Sequence, residues 1–305
     1  MYKITPSRLI TFSSLACILV GSLCQALMAD KKARSFKPTP KAYNPCYARY
    51  VPERKGDLAW ENDKMAFRMY GPPLRESGED SGIDCWLKRV DYPIIDKWYY
   101  ESKAKIKSYH KDGGEGHDPY HVGSSRGCGG LGLWFDGQLI TSNTYVSHKI
   151  LKAGGDECAF QLNYEYKYKG DSYTEIKKIS LKAGSQLFSV SSTFSKNGKP
   201  VADLPIAIGL TTHNGKATPS HNKQEGWIAC WEKIGGSGLG TGALMAPSLI
   251  DDIKVLEGGP KDSNHILMLT KTDKHGTVNY DAGFAWQKAG EILDIKTWQK
   301  YLKSY

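Results

Sequence analysis

The sequence predicts an all-β protein: a large antiparallel β-sandwich finished by a short C-terminal helix. Three observations predict it. Residues 158–194 alternate apolar and polar side chains over three successive runs, the signature of strands with one buried face. Turn residues separate run after run along the chain. Helical spacing of apolar side chains is confined to two short stretches, 93–100 and 292–302. Two smaller β domains are the alternative division, and no internal repeat is present.

The elements follow in order. In 64–70 (KMAFRMY), Met65, Phe67 and Met69 fall on one face and Arg68 and Tyr70 on the other, and Gly71-Pro72-Pro73 ends the run. In 83–90, Ile83, Cys85 and Leu87 share a face, while Asp84, Trp86 and Lys88 share the opposite one. Ile94, Ile95 and Trp98 mark the first helix candidate. After a glycine-rich loop come strands over 131–135, 138–140 and 144–151. In 158–168, Phe160, Leu162, Tyr164, Tyr166 and Tyr168 alternate with Gln161, Asn163, Glu165 and Lys167. Gly170-Asp171 turns the chain into 173–181, Ala183-Gly184-Ser185 into 187–194, and Asn197-Gly198 marks the next turn. Further strands are expected at 205–211, 227–233, 240–245, 265–271 and 277–286. Ile292, Ile295, Trp298 and Leu302 form the apolar stripe of the last helix.

Domain organisation follows from composition. Residues 1–29 read as a secretory signal: Lys3 and Arg8 give a positive start, and the apolar run 9–23 is short for a membrane span. Export to the periplasm is expected, with lipoprotein anchoring the minority reading. Residues 30–45 carry lysines and prolines and read as a linker, leaving 46–305 as one catalytic β-sandwich domain. No later stretch is apolar enough for a transmembrane helix. The formal net charge is +9, or +7 once Lys3 and Arg8 leave with the leader. The excess is scattered, which suits an acidic oligosaccharide better than nucleic acid, for which no recognition motif is present. The five remaining cysteines are widely spaced and form no CxxC, so neither a zinc knuckle nor a redox pair is indicated.

The chemistry is expected in the stretch SYHKDGGEGHDPYHVGSSRGCGG, residues 108–130. Its glycines disfavour regular structure, and polar side chains on a loop held by a rigid scaffold are the usual makeup of a working site. His110, His117 and His121 lie in it with Tyr109, Tyr120 and Arg126. His213 closes the strand 205–211 and is a fourth candidate. The spacing of His117 and His121 matches a helical metal pair, but Pro119 opposes a helix there. No cofactor is expected; a divalent metal on the three histidines with Asp118 and Glu115 is the alternative. Arg68, Lys88 and Arg126 are candidate anion-binding cations. Trp60 and Trp86 are candidate platforms for stacking a sugar ring.

The stretches GDLAWENDKMAFRMY (56–70), GIDCWLK (82–88), YHKDGGEGHDPYHVG (109–123), GCGGLGLW (127–134) and GFAWQKAGEILDIKTWQKYL (283–302) resemble an exported bacterial family found in polysaccharide utilisation gene sets and long described only as a domain of unknown function. The resemblance implies a galactose-mutarotase-like β-supersandwich. It also implies a dehydratase that eliminates water from a uronic acid at the non-reducing end of ulvan-like oligosaccharides, leaving a 4,5-unsaturated residue. That chemistry needs a cation at the carboxylate and an acid–base pair. Arg68 or Lys88, helped by Arg126, is expected at the carboxylate, with Trp60, Trp86, His117 and His121 in substrate binding. His110 and Tyr120 are expected to share the roles of base and acid, and His213 is held in reserve for either. A non-catalytic acidic-glycan-binding protein and a sugar epimerase or mutarotase are the alternatives.

Overall fold

The computed structural model of the protein describes residues 44–75 and 77–305. The leader and most of the expected linker lie outside these residues. Strands dominate, as expected, and three antiparallel sheets form the sandwich. The nine-stranded sheet runs in the order Thr218–Asn222, Trp227–Ile234, Ser237–Leu244, Thr277–Trp286, Leu187–Lys196, Asp171–Lys182, Glu157–Tyr168, Ser147–Lys152, with Lys199–Pro200 paired to Leu187–Lys196. The five-stranded sheet runs Asp252–Leu256, His265–Lys271, Pro205–Thr211, Cys128–Phe135, Gln138–Ile140. The six-stranded sheet runs Gly116–His117, Asp84–Lys88, Ala66–Met69, Asp57–Glu61, Cys46–Val51, Gly154–Gly155.

The alternation read in 158–194 has a direct structural cause. Phe160, Leu162, Tyr164 and Tyr166 point inward beside Ile179, Leu181, Phe188, Val190 and Phe194. Their neighbours point outward, in a ladder registered from Glu157↔Lys182 to Tyr168↔Asp171. The inner faces of the other two sheets, with Leu58, Trp60, Phe67 and Cys85 on one and Leu131, Ile208 and Met268 on the other, complete the same core. Side chains from all three sheets therefore share one dry interior, the main source of stability in such a fold.

The six-stranded sheet differs from the others in being covered on both faces. Its outer face carries Val51, Ala59, Ala66 and Trp86 beneath α1, Ile95–Lys103, which lays Ile95, Trp98 and Tyr99 on them. Strands 46–51 and 57–61, absent from the sequence reading, belong to this sheet. Asp57–Glu61 is buried at every position, so it shows no alternation to detect. Strands Thr218–Asn222 and Asp252–Leu256 were also missed; they are short, polar, outermost strands. The last helix, α2, is Ile295–Ser304 rather than 292–302. Asp294 sets its start by accepting from the Thr297 amide at 2.8 Å, while Ile292 packs beside the helix before it begins. Among the described residues no helix is long and apolar enough to cross a membrane.

Candidate active site

The loop 108–130 leaves α1, crosses the end of the six-stranded sheet and enters the strand Cys128–Phe135. Its first part is tied down on both sides. Glu115 accepts from Tyr92 Oη (2.7 Å), Lys97 Nζ (2.6 Å) and Trp98 Nε1 (3.1 Å), which fixes it to α1. Asp112 takes both terminal nitrogens of Arg89 at 2.8 and 2.9 Å. Between these anchors Tyr109 and His110 are delivered to the outer side of strand Ala66–Met69.

There the structure builds a shallow hollow of about 140 Å³, lined by Glu53, Arg54, Tyr99, Ser102, Lys103 and Tyr109. Arg68 lies buried behind Tyr109. Its Nε and Nη2 donate to Asp84 Oδ2 at 2.9 and 2.5 Å, Nη2 also donates to Asp118 Oδ2 at 3.0 Å, and Nη1 donates to Tyr109 Oη at 3.3 Å. The guanidinium carbon stands 5.2 Å from the ring centres of both Tyr70 and Trp86. Arg54, fixed by Asp57 at 3.0 Å, lines the same hollow as Tyr109, and its charge acts on the tyrosine from there. The Tyr109 oxygen thus accepts from Arg68 with a second cation beside it. His110 packs its ring 4.5 Å from that of Tyr109. Its Nδ1 lies 2.9 Å from the Asp118 carbonyl, which can only accept, so Nδ1 carries the proton; in the neutral ring Nε2 is then left as a base on the solvent side. Burial, then the neighbouring Asp84 charge, push the Asp118 carboxyl well above the usual carboxylate range, against the opposing pull of Arg68.

A second group forms where the loop meets the turn after Pro205–Thr211. His213 adopts a left-handed backbone, φ +47°, which swings its ring between two oxygens: Glu232 Oε1 at 2.7 Å from Nδ1 and the His121 carbonyl at 2.7 Å from Nε2. Both bonds are made together when each nitrogen carries a proton. Tyr120 meets the His213 ring edge-on at 4.6 Å and buries its hydroxyl, without a hydrogen-bond partner, near Cys85, Cys128 and Cys230. His121 turns outward onto Asp262 at 3.0 Å. His117 is buried against Trp286, and burial holds its imidazole below the ordinary value.

The expected site is therefore divided. Arg68 and His110 meet through Asp118; Tyr120, His121 and His213 form a separate cluster that clasps the loop to the neighbouring sheet. Four further candidates are placed in the interior. Trp60 stacks on Phe67 at 5.1 Å and is enclosed by Phe160 and Phe188, so neither face can meet a sugar. Trp86 is covered by Trp98, Tyr99 and Tyr109. Lys88 is spent on Glu61, the Asn62 carbonyl and the Tyr92 carbonyl at 3.0, 2.9 and 2.8 Å. Arg126 is fully buried and donates to Ser81 Oγ and to the Leu131 and Ser124 carbonyls, all neutral acceptors. For Trp60, Trp86 and Lys88 the cause is shared: a side chain on a strand covered on both faces serves the interior. Among the described residues no group of three or more His, Cys, Asp and Glu is placed to hold a metal ion. Tyr109 and Arg54 were passed over in the sequence. Tyr109 stood inside the singled-out loop, adjacent to His110, which was the one available signal; Arg54 sits in a turn of exposed charges.

A large antiparallel sandwich with a cationic, tyrosine-floored hollow on one outer face is the class of protein these features define. The chain belongs to the family described as "Domain of unknown function (DUF4861)", whose profile matches residues 18–305. It is 35% identical over 270 residues to "Uncharacterized protein P7" of Formosa agariphila, covering 85% of this chain and 67% of that protein. Among solved structures, a protein described as a kojibiose phosphorylase from the human microbiome aligns with TM-score 0.40 at 8% identity over 86% of this chain. The GH36 α-galactosidase AgaA of Geobacillus stearothermophilus aligns with TM-score 0.36 at 10% identity over 80% of this chain. The chain spans 36% and 42% of the lengths of those two proteins.

Proposed function

We propose that the protein is an exported dehydratase acting on uronate-ended acidic oligosaccharides, and that Tyr109, His110 and Arg54 carry the reaction with Arg68 as their support. The observation that carries this reading is the Tyr109 hydroxyl, held by the Arg68 guanidinium in a hollow that Arg54 also lines, with the exposed His110 imidazole packed against its ring. Elimination takes a proton from C5 of the uronate and expels the 4-hydroxyl, so the C4–O bond breaks, a C4–C5 double bond forms and one water leaves. The C5 proton is weakly acidic because the adjacent carboxylate is already negative. Arg54 and Lys103, both lining the hollow, supply the neutralising charge. His110 Nε2 takes the C5 proton. Tyr109, whose oxygen already accepts from Arg68, has its own proton free to give to the departing hydroxyl. One aimed donor contributes about 10²–10³ in rate and an acid–base group about 10²–10⁴, so the assembly suffices for an enzyme and exceeds what a binding module needs.

The test is to incubate the mature protein with several uronate-ended oligosaccharides and follow the ultraviolet absorbance of the conjugated double bond, with product mass read in parallel. A rise with loss of one water supports dehydration. Unchanged mass with altered stereochemistry would identify an epimerase, and unaltered substrate with retained binding would identify a glycan-binding protein; either result replaces this reading.

A further inference from the structure

The outer face of the nine-stranded sheet, on the layer opposite the hollow, is only half covered. Helix α2 sits on Leu187, Trp227, Ala229 and Ala285. Where its cover stops, the outward residues change character. One cross-strand row reads Ala159, Ser180, Ser189, Asp281 and the next reads Gln161, Lys178, Ser191, Asn279. Small side chains form the floor, and Leu151, Met245 and Leu249 rise at the sides, giving a groove of about 620 Å³. Leu151 and Leu249 are 46% and 55% exposed, so apolar edges face a polar floor. The register shift at Ala159/Phe160 turns Lys149 outward opposite Gln161, in the same row as Lys178. Lys182, two residues beyond Ser180, faces the same way. Lys178 is the cation in the lining and Asp281 the acid, while Lys149 and Lys182 stand on the same face just outside it; none of the three lysines forms an ion pair among the described residues.

We propose that this groove is a second binding site, which holds a stretch of an anionic polysaccharide chain while the hollow on the opposite layer receives a chain end. Adjacent strands lie about 4.8 Å apart and alternate residues about 6.8 Å apart along a strand, so the rows offer a regular lattice of hydroxyl, amide and ammonium groups. A polyhydroxylated chain has donors and acceptors at comparable intervals, its ring faces can rest on the Leu151 and Leu249 edges, and its carboxylates or sulfates meet the unpaired lysines. A peptide strand is a poorer occupant, since the floor presents side chains and no open backbone edge. The chain's own N-terminal segment, with Lys31, Lys32, Arg34, Lys37 and Lys41, carries the groove's own sign of charge. The proposal shares with the functional reading above only the premise that the sugar is acidic.

The experiment is affinity electrophoresis of the full mature chain through gels containing polygalacturonate or its carboxyl-reduced, neutral counterpart. Polygalacturonate is expected to retard the native chain and the neutral polymer to retard it less. The double variant Lys149→Ala/Lys178→Ala should bind the acidic polymer about five- to tenfold more weakly, the size expected from two exposed charge contacts. Ser191→Tyr, which fills the groove without altering charge, should do the same, and its melting profile reports whether it folds. Lys216→Ala, which removes an exposed charge outside both the groove and the hollow, should be retarded as the native chain is. Equal retardation of the double variant and the native chain overturns the proposal, as does equal retardation by both polymers. Since retention needs no turnover, a chain that binds through the groove and eliminates nothing refutes the dehydratase alone.

Discussion

A phenol oxygen that accepts from the Arg68 guanidinium, with Arg54 lining the same hollow, keeps its own proton to give, so Tyr109→Phe removes what that side chain supplies to the reaction. Turnover of a uronate-ended oligosaccharide is expected to fall about 10²–10⁴-fold, with an unchanged melting curve; a fall below twofold would release Tyr109 from the role. Arg68→Ala should act differently. It strands Asp84 and Asp118 in the interior and should cost about 3–5 kcal/mol in urea unfolding, as breaking a buried ion pair does. His265 offers a pH readout. Its Nδ1 donates to the Ser263 carbonyl at 2.8 Å and its Nε2 accepts the Arg126 amide at 3.0 Å, so the neutral ring is the one that fits. Burial, then the Arg126 charge, lower its pKa from 6.5 to about 4. The unfolded chain takes up a proton as pH falls through 6.5 and the folded chain only near 4, so this group's contribution is intact above 6.5 and is lost towards 4. The stability difference between the native chain and His265→Gln should change across that window by roughly 3 kcal/mol. His110 and Arg68 were legible because their types and neighbours suggested chemistry. The true surroundings of Trp60 and Lys88 were hidden, because a sequence does not disclose that both faces of a strand are covered.

At the level of elements, legibility followed burial asymmetry. The hairpins of the nine-stranded sheet, dry on one side and wet on the other, announced themselves residue by residue. The six-stranded sheet did not, since α1 roofs it and charges such as Glu61 are taken inside; Glu61 accepts from the Ile94 and Ile95 amides at the start of α1, where the helix dipole favours an anion. Helix α2 was visible from its stripe, but its seat was not. Trp298 donates from Nε1 to the Thr241 carbonyl at 3.0 Å and lies over Gly240, where an added Cβ would stand 2.7 Å from the indole. Gly240→Ala should therefore lift α2 and cost about 1–3 kcal/mol, measured by denaturant midpoint and by the near-ultraviolet signal of Trp298. An unaltered midpoint would show that the helix can shift without loss.

For the molecule as a whole, the sandwich class was readable from alternation and turn spacing, whereas the placing of Arg54 from one turn beside Tyr109 from a distant loop was not, because it depends on the order in which strands enter a sheet. Since the proposed chemistry uses only side chains, dialysis against a chelator should leave turnover unchanged; a loss restored by a divalent ion would require a different mechanism. One property of the interior reaches beyond catalysis. All five cysteines in the described residues are free and buried, and burial raises the Cys46 thiol to about 12 and Cys85, Cys158 and Cys230 higher still. In the folded protein these five should therefore be slow to meet thiol-modifying reagents and air, since none is at the surface. Once denatured, the chain presents the same sulfhydryls to an oxidising medium, and recovery on dilution should hinge on whether a reductant is present during renaturation.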